Sequence, residues 1–356
     1  MKKILLIDDS ALMRTVLSDI INADSRFQVV DKAKDGLEGL ELLKKNTYDA
    51  VVLDINMPRM DGITMLKELQ KNKIKARIMM ASTDTKEGAK VTMDCLDLGA
   101  LDFVHKPDRA SECRGEEFGK HFINTLAAVA NSRLPVATKA FSFEEAKESR
   151  KVVELVTKSA SKITGNRIVA IASSTGGPRA LQAVIPKLPK NLRTPVVLVQ
   201  HMPEGFTASL AERLDSLSEI KVKEAAEGDQ LQSGTVYISR GGKHMHIVKS
   251  GGKSTIHYVD GPTREGVRPC ANFMYESLMD SDYDEICCVV MTGMGADGTE
   301  GIKNLKTKKK VHVIGQDEST CTVYGMPKAV ATAGLVDQVV KLDNIAQEII
   351  MHVGVN

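Results

Sequence analysis

Tryptophan is absent from this 356-residue sequence, and aromatic residues make up only 4% of it. Proteins that grip single-stranded nucleic acid do so largely by stacking bases on exposed rings, and a chain this poor in rings lacks the platforms. An excess of one charge is also missing. The formal net charge of +2 divides into −1 over residues 1–108, +3 over 109–165 and 0 over 166–356. A DNA-binding face would push one of those balances well to the basic side, and no zinc-finger or basic-zipper spacing occurs, so nucleic acid is not an expected partner. Long apolar runs are lacking too: stretches such as Ile286 to Met291 fall far short of the roughly 18 to 20 residues that a membrane-spanning helix needs. The chain opens with the strand-like Lys2-Lys3-Ile4-Leu5-Leu6-Ile7, so neither a signal peptide nor an anchor is expected. Cys95, Cys113, Cys270, Cys287, Cys288 and Cys321 form no C-x-x-C pair and no disulfide-dense spacing. They read as reduced, mostly buried thiols of a cytoplasmic protein.

What is present is the material of an ordinary globular protein, with 42% hydrophobic and 26% charged residues. At about 100 to 200 residues per domain, the length predicts more than one core. Residues 1–108 alternate short apolar runs with amphipathic stretches, the pattern of a doubly wound parallel α/β sheet. Strands are expected at Lys3–Ile7, Phe27–Ala33, Ala50–Leu53, Arg77–Ala81 and Asp102–His105. Residues 109–165 lose that rhythm and read as a linker, with one helical, charge-rich stretch from Phe143 to Ser161. From residue 166 a second α/β domain follows, its clearest strands being Ile168–Ala172, Val196–Gln200, Ile286–Met291 and Val311–Ile314. Inside it, the glycine-punctuated residues 222–260 predict an antiparallel β insertion.

Ligand sites in open parallel sheets lie at the carboxyl ends of the strands. In the first domain those ends carry Asp8 and Asp9, Asp54, and Lys106. Carboxylates crowded together repel one another unless a hard cation sits among them, and Mg2+ prefers oxygen ligands while leaving room for a phosphate. Asp54 is then a candidate for phosphorylation, with Lys106 as a point charge for phosphoryl oxygens and Ser82, at the end of the fourth strand, offering a hydroxyl.

These residues, in Ile7-Asp8-Asp9-Ser10, Asp54-Ile55-Asn56-Met57-Pro58-Arg59-Met60-Asp61-Gly62 and Lys106-Pro107, resemble the receiver domains of two-component response regulators. The resemblance covers about 108 residues and implies a flavodoxin-like fold. It further implies phosphorylation of Asp54 by a histidine kinase, and Mg2+ held by Asp9, Asp54 and the Asn56 carbonyl, with Asp8 acting through water. A switch involving Ser82 and Phe103 is also implied. Thr83 after Ser82 leaves the switch hydroxyl ambiguous, and Phe103 carries no hydroxyl of its own.

In the second domain, Ile168–Ala172 runs into Ser173-Ser174-Thr175-Gly176-Gly177-Pro178 before a helical run. A serine on such a strand-to-helix turn has its hydroxyl lifted above the sheet, with neighbouring amides at a helix start that favour a developing oxyanion. Ala172 stands where the G-x-S-x-G pattern has glycine, and alone the turn also fits a helix cap or a phosphate-binding loop. His201 follows the strand Val196–Gln200, and Asp297 follows Ile286–Met291. A neutral histidine oriented by a carboxylate is the usual way to activate a serine hydroxyl, whatever the chain order. Gly293-Met294-Gly295-Ala296-Asp297-Gly298 also matches G-x-G-x-x-G, with Asp317 19 residues beyond Gly298, which keeps a nucleotide-binding oxidoreductase open as an alternative. His244 and His246 share one strand face and are two possible metal ligands without a third.

Residues 166–356 resemble the catalytic domain of the chemotaxis protein-glutamate methylesterases. The matching segments are Ser174-Thr175-Gly176-Gly177-Pro178, Gln200-His201-Met202-Pro203-Glu204-Gly205-Phe206, Gly241-Gly242-Lys243-His244-Met245, Arg268-Pro269, Met291 to Gly298 and Val323-Tyr324-Gly325-Met326-Pro327. The resemblance implies Ser174 as nucleophile, His201 as general base and Asp297 as its orienting partner, with the amides of Thr175 and Met294 as oxyanion donors and no cofactor. Where the family usually has Gly-Ala before the serine, this chain has Ala172-Ser173, making Ser173 a decoy hydroxyl. The implied substrates are glutamate methyl esters on the cytoplasmic helices of chemoreceptors, with glutamine deamidation as a second activity. A phospho-switched binding module without catalysis is the remaining alternative.

Overall fold

In the computed structural model, residues 1–83, 86–107, 109, 111–133 and 165–356 are described. They fall into two units, one within Met1–Ala140 and the other within Phe141–Asn356. The expected helix over Phe143–Ser161 lies outside the described residues.

The first unit is a five-stranded parallel sheet in the order β2-β1-β3-β4-β5, from β1 (Lys2–Ile7), β2 (Phe27–Ala33), β3 (Ala50–Asp54), β4 (Ile78–Thr83) and β5 (Asp102–Lys106). The central strands are apolar over Ile4–Ile7, Ala50–Leu53 and Ile78–Ala81, where helices cover both faces. Four helices lie between the strands: α1 (Ala11–Ala23), α2 (Gly36–Lys45), α3 (Gly62–Lys71) and α4 (Lys86–Asp97). Three of them start on side-chain caps, with Ser10 accepting from the Met13 amide, Asp35 from Glu38 and Asp61 from Thr64.

A fifth helix, α5 (Glu116–Asn131), corrects the expected boundary at residue 108. Its Phe122, Leu126 and Val129 are buried in the same core as Ile4, Leu6 and Val104, with Phe118 packed against that core. The side chains of Lys2 and Arg77 also donate to the carbonyls of Ala130 and Ser132. Residues 116–131 are therefore part of the first unit and not of a tether. Phe118, Phe122, Leu126 and Val129 recur at helical spacing, so one face of the segment had to find a core.

The second unit is a seven-stranded parallel sheet in the order β14-β13-β12-β6-β7-β9-β8. Its strands are β6 (Arg167–Ser173), β7 (Val196–Gln200), β8 (Lys221–Glu224), β9 (Thr235–Ile238), β12 (Glu285–Val290), β13 (Lys310–Gln316) and β14 (Gln338–Val340). A separate antiparallel hairpin joins β10 (His244–Ser250) to β11 (Lys253–Val259). The antiparallel insertion is thus narrower than residues 222–260, since β8 and β9 belong to the parallel sheet. The helices are α6 (Gly177–Val184), α7 (Phe206–Leu217), α8 (Ala271–Ser277), α9 (Thr299–Lys306), α10 (Met326–Thr332) and α11 (Ile345–Val353). Strands β6, β7, β12 and β13 sit in the middle of the sheet, and the residues that follow them meet at one edge.

Candidate functional site

At that edge, β6 delivers Ser173 and Ser174, β7 delivers Gln200 and His201, and the loop after β12 delivers Thr292 to Gly298. The two serines differ in surroundings. Ser173 is fully buried, and its hydroxyl donates to Gln200 Oε1 at 2.8 Å. Ser174, one residue on, is only half-buried, and among the described residues its hydroxyl makes no hydrogen bond. The turn after it needs glycine: Gly176 has φ +76°, and a Cβ there would stand 2.4 Å from Thr322. The backbone of Gly293 passes just as close on the other side, where an added Cβ would lie 2.7 Å from the Ser174 Cβ.

His201 and Asp297 come together directly, with Nε2 of the ring 2.7 Å from Oδ2 of the carboxylate. Asp297 is 2% exposed and takes three further hydrogen bonds. The amide of Ala271 donates to Oδ2 at 2.6 Å, while the amide of Asn272 and the thiol of Cys270 donate to Oδ1 at 2.9 and 3.1 Å. Burial pushes this carboxyl upward, but the His201 bond, the charge on that ring and the donors at the start of α8 outweigh it and hold Asp297 down at about 2. Because Nε2 faces Asp297, Nδ1 is the ring nitrogen left for proton transfer. The amide of His201 donates to the Ser173 carbonyl at 3.1 Å, so His201 and the Ser173–Ser174 turn sit on neighbouring, hydrogen-bonded strand ends.

The amides of Thr175 and Met294 have no hydrogen-bond acceptor among the described residues, whereas the Ser174 amide is taken by the Thr292 carbonyl at 3.0 Å. Asp317 accepts from the Ser319 amide and caps the short turn Glu318–Thr320. The Gly293–Gly298 loop, for its part, aims its carboxylate at His201. The dinucleotide alternative therefore loses both of its diagnostic groups. His244 is buried with Nε2 against the Pro262 carbonyl at 3.1 Å, and both His244 and His246 pack on the Phe273 ring. Burial lowers the pKa of each.

In the first unit the expected acidic pocket is assembled. Asp8, Asp9 and Asp54 offer carboxylate oxygens within 4.8 Å of one another, the one such group of metal-binding side chains among the described residues. Lys106 Nζ lies 2.8 Å from both Asp8 and Asp54. Burial is the largest influence on Asp54 and pushes it up to about 6, against the pull of Lys106 and with the push of Asp8. An all-oxygen cradle of three carboxylates within 4.8 Å of one another fits a hard divalent cation. Asn56 is exposed in the loop after β3, and Phe103 is buried on β5. Ser82 is the last residue but one of β4, which runs on to Thr83, and pairs with His105 in register.

Sequence reasoning missed Cys270, Gln200, Thr292 and Gln316, all fully or almost fully buried around the serine turn or Asp297. Their hydrogen bonds carry no sequence signature; only their places beside the matched motifs hint at them.

A receiver-type unit with an acidic strand-end pocket, followed by a parallel-sheet unit with Ser174 and the bonded His201–Asp297 pair at its strand ends, defines a response regulator with a hydrolase output. Comparison with known proteins agrees. Residues 4–114 match the response regulator receiver domain family and 169–349 the CheB methylesterase family. The chain is 38% identical, over 98% of both sequences, to the protein-glutamate methylesterase/protein-glutamine glutaminase of Bacillus subtilis. It is 40% identical to that of Pyrococcus abyssi, over 99% of this chain and 93% of the relative. The crystal structure of the Thermotoga maritima CheB methylesterase catalytic domain is 42% identical with a TM-score of 0.51, covering 53% of this chain and 98% of that one. The chain belongs to the CheB methylesterase family of response regulators, and is a carboxylic ester hydrolase. No helix among the described residues is long and apolar enough to cross a membrane.

Proposed function

We propose that this protein hydrolyses γ-glutamyl methyl esters on the cytoplasmic helices of chemoreceptors, and deamidates glutamines there, under control of phosphorylation at Asp54 by a histidine kinase. The observation that carries the catalytic half is the 2.7 Å bond between His201 Nε2 and the buried Asp297, one strand from Ser174. With Nε2 engaged, Nδ1 of His201 takes the proton as Ser174 Oγ attacks the ester carbonyl. The amides of Thr175 and Met294 receive the oxyanion. Asp297, ionised far below neutrality, stabilises the imidazolium that forms. Collapse of the intermediate breaks the C–O bond, and His201 returns its proton to the departing oxygen, giving methanol and an acyl-Ser174. Water, deprotonated by the same nitrogen, then releases the glutamate.

For regulation, Asp54 offers the carboxylate oxygen that accepts a phosphoryl group, and Lys106 places a cation beside it. Asp8, Asp9, Asp54 and the Asn56 carbonyl would hold Mg2+, which supplies positive charge against the phosphoryl oxygens. Ser82, Phe103 and Lys106 are the residues through which the receiver senses the new charge. The test is methanol release from methylated receptor membranes, with and without a small phosphodonor. Release that disappears in Ser174→Ala, and that the phosphodonor raises, supports the reading. Its absence in the wild type leaves a binding module without catalysis.

A further inference from the structure

The serine turn is held by side chains from the strands on either side. On the β7 side, Gln200 is 2% exposed, and its amide makes three hydrogen bonds. Oε1 accepts from the Ser173 hydroxyl at 2.8 Å, and Nε2 donates to the carbonyls of Ser174 and His201 at 3.0 and 3.1 Å. One side chain thus ties the residue bearing the nucleophile to the residue bearing the base. The fit is close, for a Cβ on Gly177 would fall 2.0 Å from Gln200 Oε1.

On the β12 side, Thr292 is 1% exposed. Its carbonyl accepts the Ser174 amide at 3.0 Å. Its hydroxyl accepts from the Val323 amide at 3.0 Å and has one proton to give, with the Thr175 carbonyl at 3.0 Å and the Val323 carbonyl at 3.2 Å. The Val323 carbonyl already receives the Gly293 amide, so Thr175 is the acceptor in greater need. Thr292 is in turn fixed by a second buried glutamine, Gln316 at the end of β13. Gln316 Oε1 accepts the Thr292 amide at 2.8 Å, while Nε2 donates to the Thr320 carbonyl at 2.9 Å.

These bonds account for the Ser174 amide and carbonyl and for the Thr175 carbonyl. The amide of Thr175 is left over, and holding the rest of the turn decides where it points. A donor aimed beforehand at the oxyanion is worth far more than one that must turn as the charge appears, and misplacement by about 1 Å can cost 100-fold in rate.

We propose that Thr292 and Gln200 are positioning residues for ester hydrolysis, holding the Ser174–Thr175 turn so that the nucleophile meets His201 and the Thr175 amide meets the oxyanion. This rests on the reading of Ser174 as nucleophile. Both side chains are almost fully buried and spend their hydrogen bonds on backbone and neighbouring side chains, so their loss should appear in kcat and in affinity for transition-state mimics, with KM little changed.

The test uses the full-length protein, with a peptide carrying a γ-glutamyl methyl ester as substrate and a peptidyl boronic acid as the tetrahedral mimic. Wild type and Ser174→Ala come first. If the wild type releases no methanol, or Ser174→Ala matches it, the functional reading has failed, and the positioning role falls with it. With that control passed, Thr292→Val keeps the shape and loses the hydroxyl, while Thr292→Ser keeps the hydroxyl. We expect Thr292→Val to lower kcat by roughly 10- to 100-fold, with KM within about threefold and boronate affinity down in step with kcat; Thr292→Ser should recover most of the rate. Gln200→Met should show the same kcat-selective loss. The proposal is overturned if Thr292→Val keeps near-normal kcat, if Thr292→Ser is as impaired as Thr292→Val, or if the loss falls on KM with boronate affinity unchanged. It also falls if neither Thr292→Val nor Gln200→Met retains native circular dichroism and cooperative unfolding, since the network would then serve the fold alone.

Discussion

Replacing Asp297 by Asn is the sharpest probe of the strand-end cluster, because the carboxylate accepts four hydrogen bonds and every one comes from a donor. An amide has one oxygen and one NH2. Put the NH2 at the Oδ1 position and it confronts the Asn272 amide across 2.9 Å. Put it at Oδ2 and it confronts the Ala271 amide across 2.6 Å and His201 Nε2 across 2.7 Å. In the second case His201 can respond only by carrying its proton on Nδ1, which removes the base. Either orientation leaves a buried backbone donor unmet, a cost of about 1 to 3 kcal/mol. Linkage gives a similar size independently. A carboxyl held at about 2 in the folded chain, against an ordinary value of 3.8, contributes about 2.5 kcal/mol at neutral pH. The pKa is depressed, so that stability is present above pH ~3.8 and is lost as pH falls toward ~2. Asp297→Asn should therefore lower the melting temperature of the second unit by about 2 to 12 °C at pH 7. It should also lower kcat by roughly 10⁴-fold, the scale of a wrong tautomer in a Ser-His-Asp triad. Scanning calorimetry from pH 7 to pH 2.5 should show the gap between wild type and variant closing as acid is added. A variant with kcat within tenfold of wild type, or a gap that widens in acid, would refute the reasoning.

Ser174→Ala should cut methanol release by several orders of magnitude, while Ser173→Ala, which loses one buried bond to Gln200, should keep most of the rate at a stability cost of about 1 kcal/mol. Cys270→Ser retains a donor to Asp297 Oδ1 and should hold kcat within about threefold, whereas Cys270→Ala should be less stable by about 1 kcal/mol, as unfolding curves would reveal. Asp54→Asn should abolish the response to a small phosphodonor and leave the unstimulated rate intact; stimulation that survives the substitution would exclude Asp54 as the acceptor.

A strand covered on both faces reads as a continuous buried run, and Val196–Gln200 forms with the expected limits for that reason; Phe27–Ala33, at the sheet edge, also forms with the expected limits but is legible by its alternation. The helix Glu116–Asn131 was not read, although its apolar spacing was visible, because the charged and glycine-containing stretch before it ends the strand-helix rhythm. Ser233-Gly234 reads as a hairpin turn and so places β8 and β9 in an antiparallel insertion, whereas pairing with β7 makes β9 a parallel neighbour. Ser174, His201 and Asp297 were legible as polar residues directly after buried strands or in the loop that follows one. Which ring nitrogen meets Asp297, and that Cys270, Ala271 and Asn272 supply its other donors, depends on where α8 comes to rest. No local pattern encodes that.

Asp54 and Asp297 show how surroundings push the same side chain in opposite directions. Asp54 and Asp297 are both buried at the carboxyl ends of parallel sheets, and burial alone would raise both. Asp297 faces four donors and no other carboxylate among its hydrogen-bond partners. Its carboxyl, held at about 2, is ionised at neutral pH, as the imidazolium partner in the proposed mechanism has to be. Asp54 has one cation, Lys106, shared with Asp8, and a single amide donor, Ile55, at 2.8 Å. Burial first, and then the charge of Asp8, push its carboxyl up to about 6 against the pull of Lys106. The same burial therefore leaves Asp297 with four donors around it and Asp54 beside a second carboxylate, Asp8, that shares its cation.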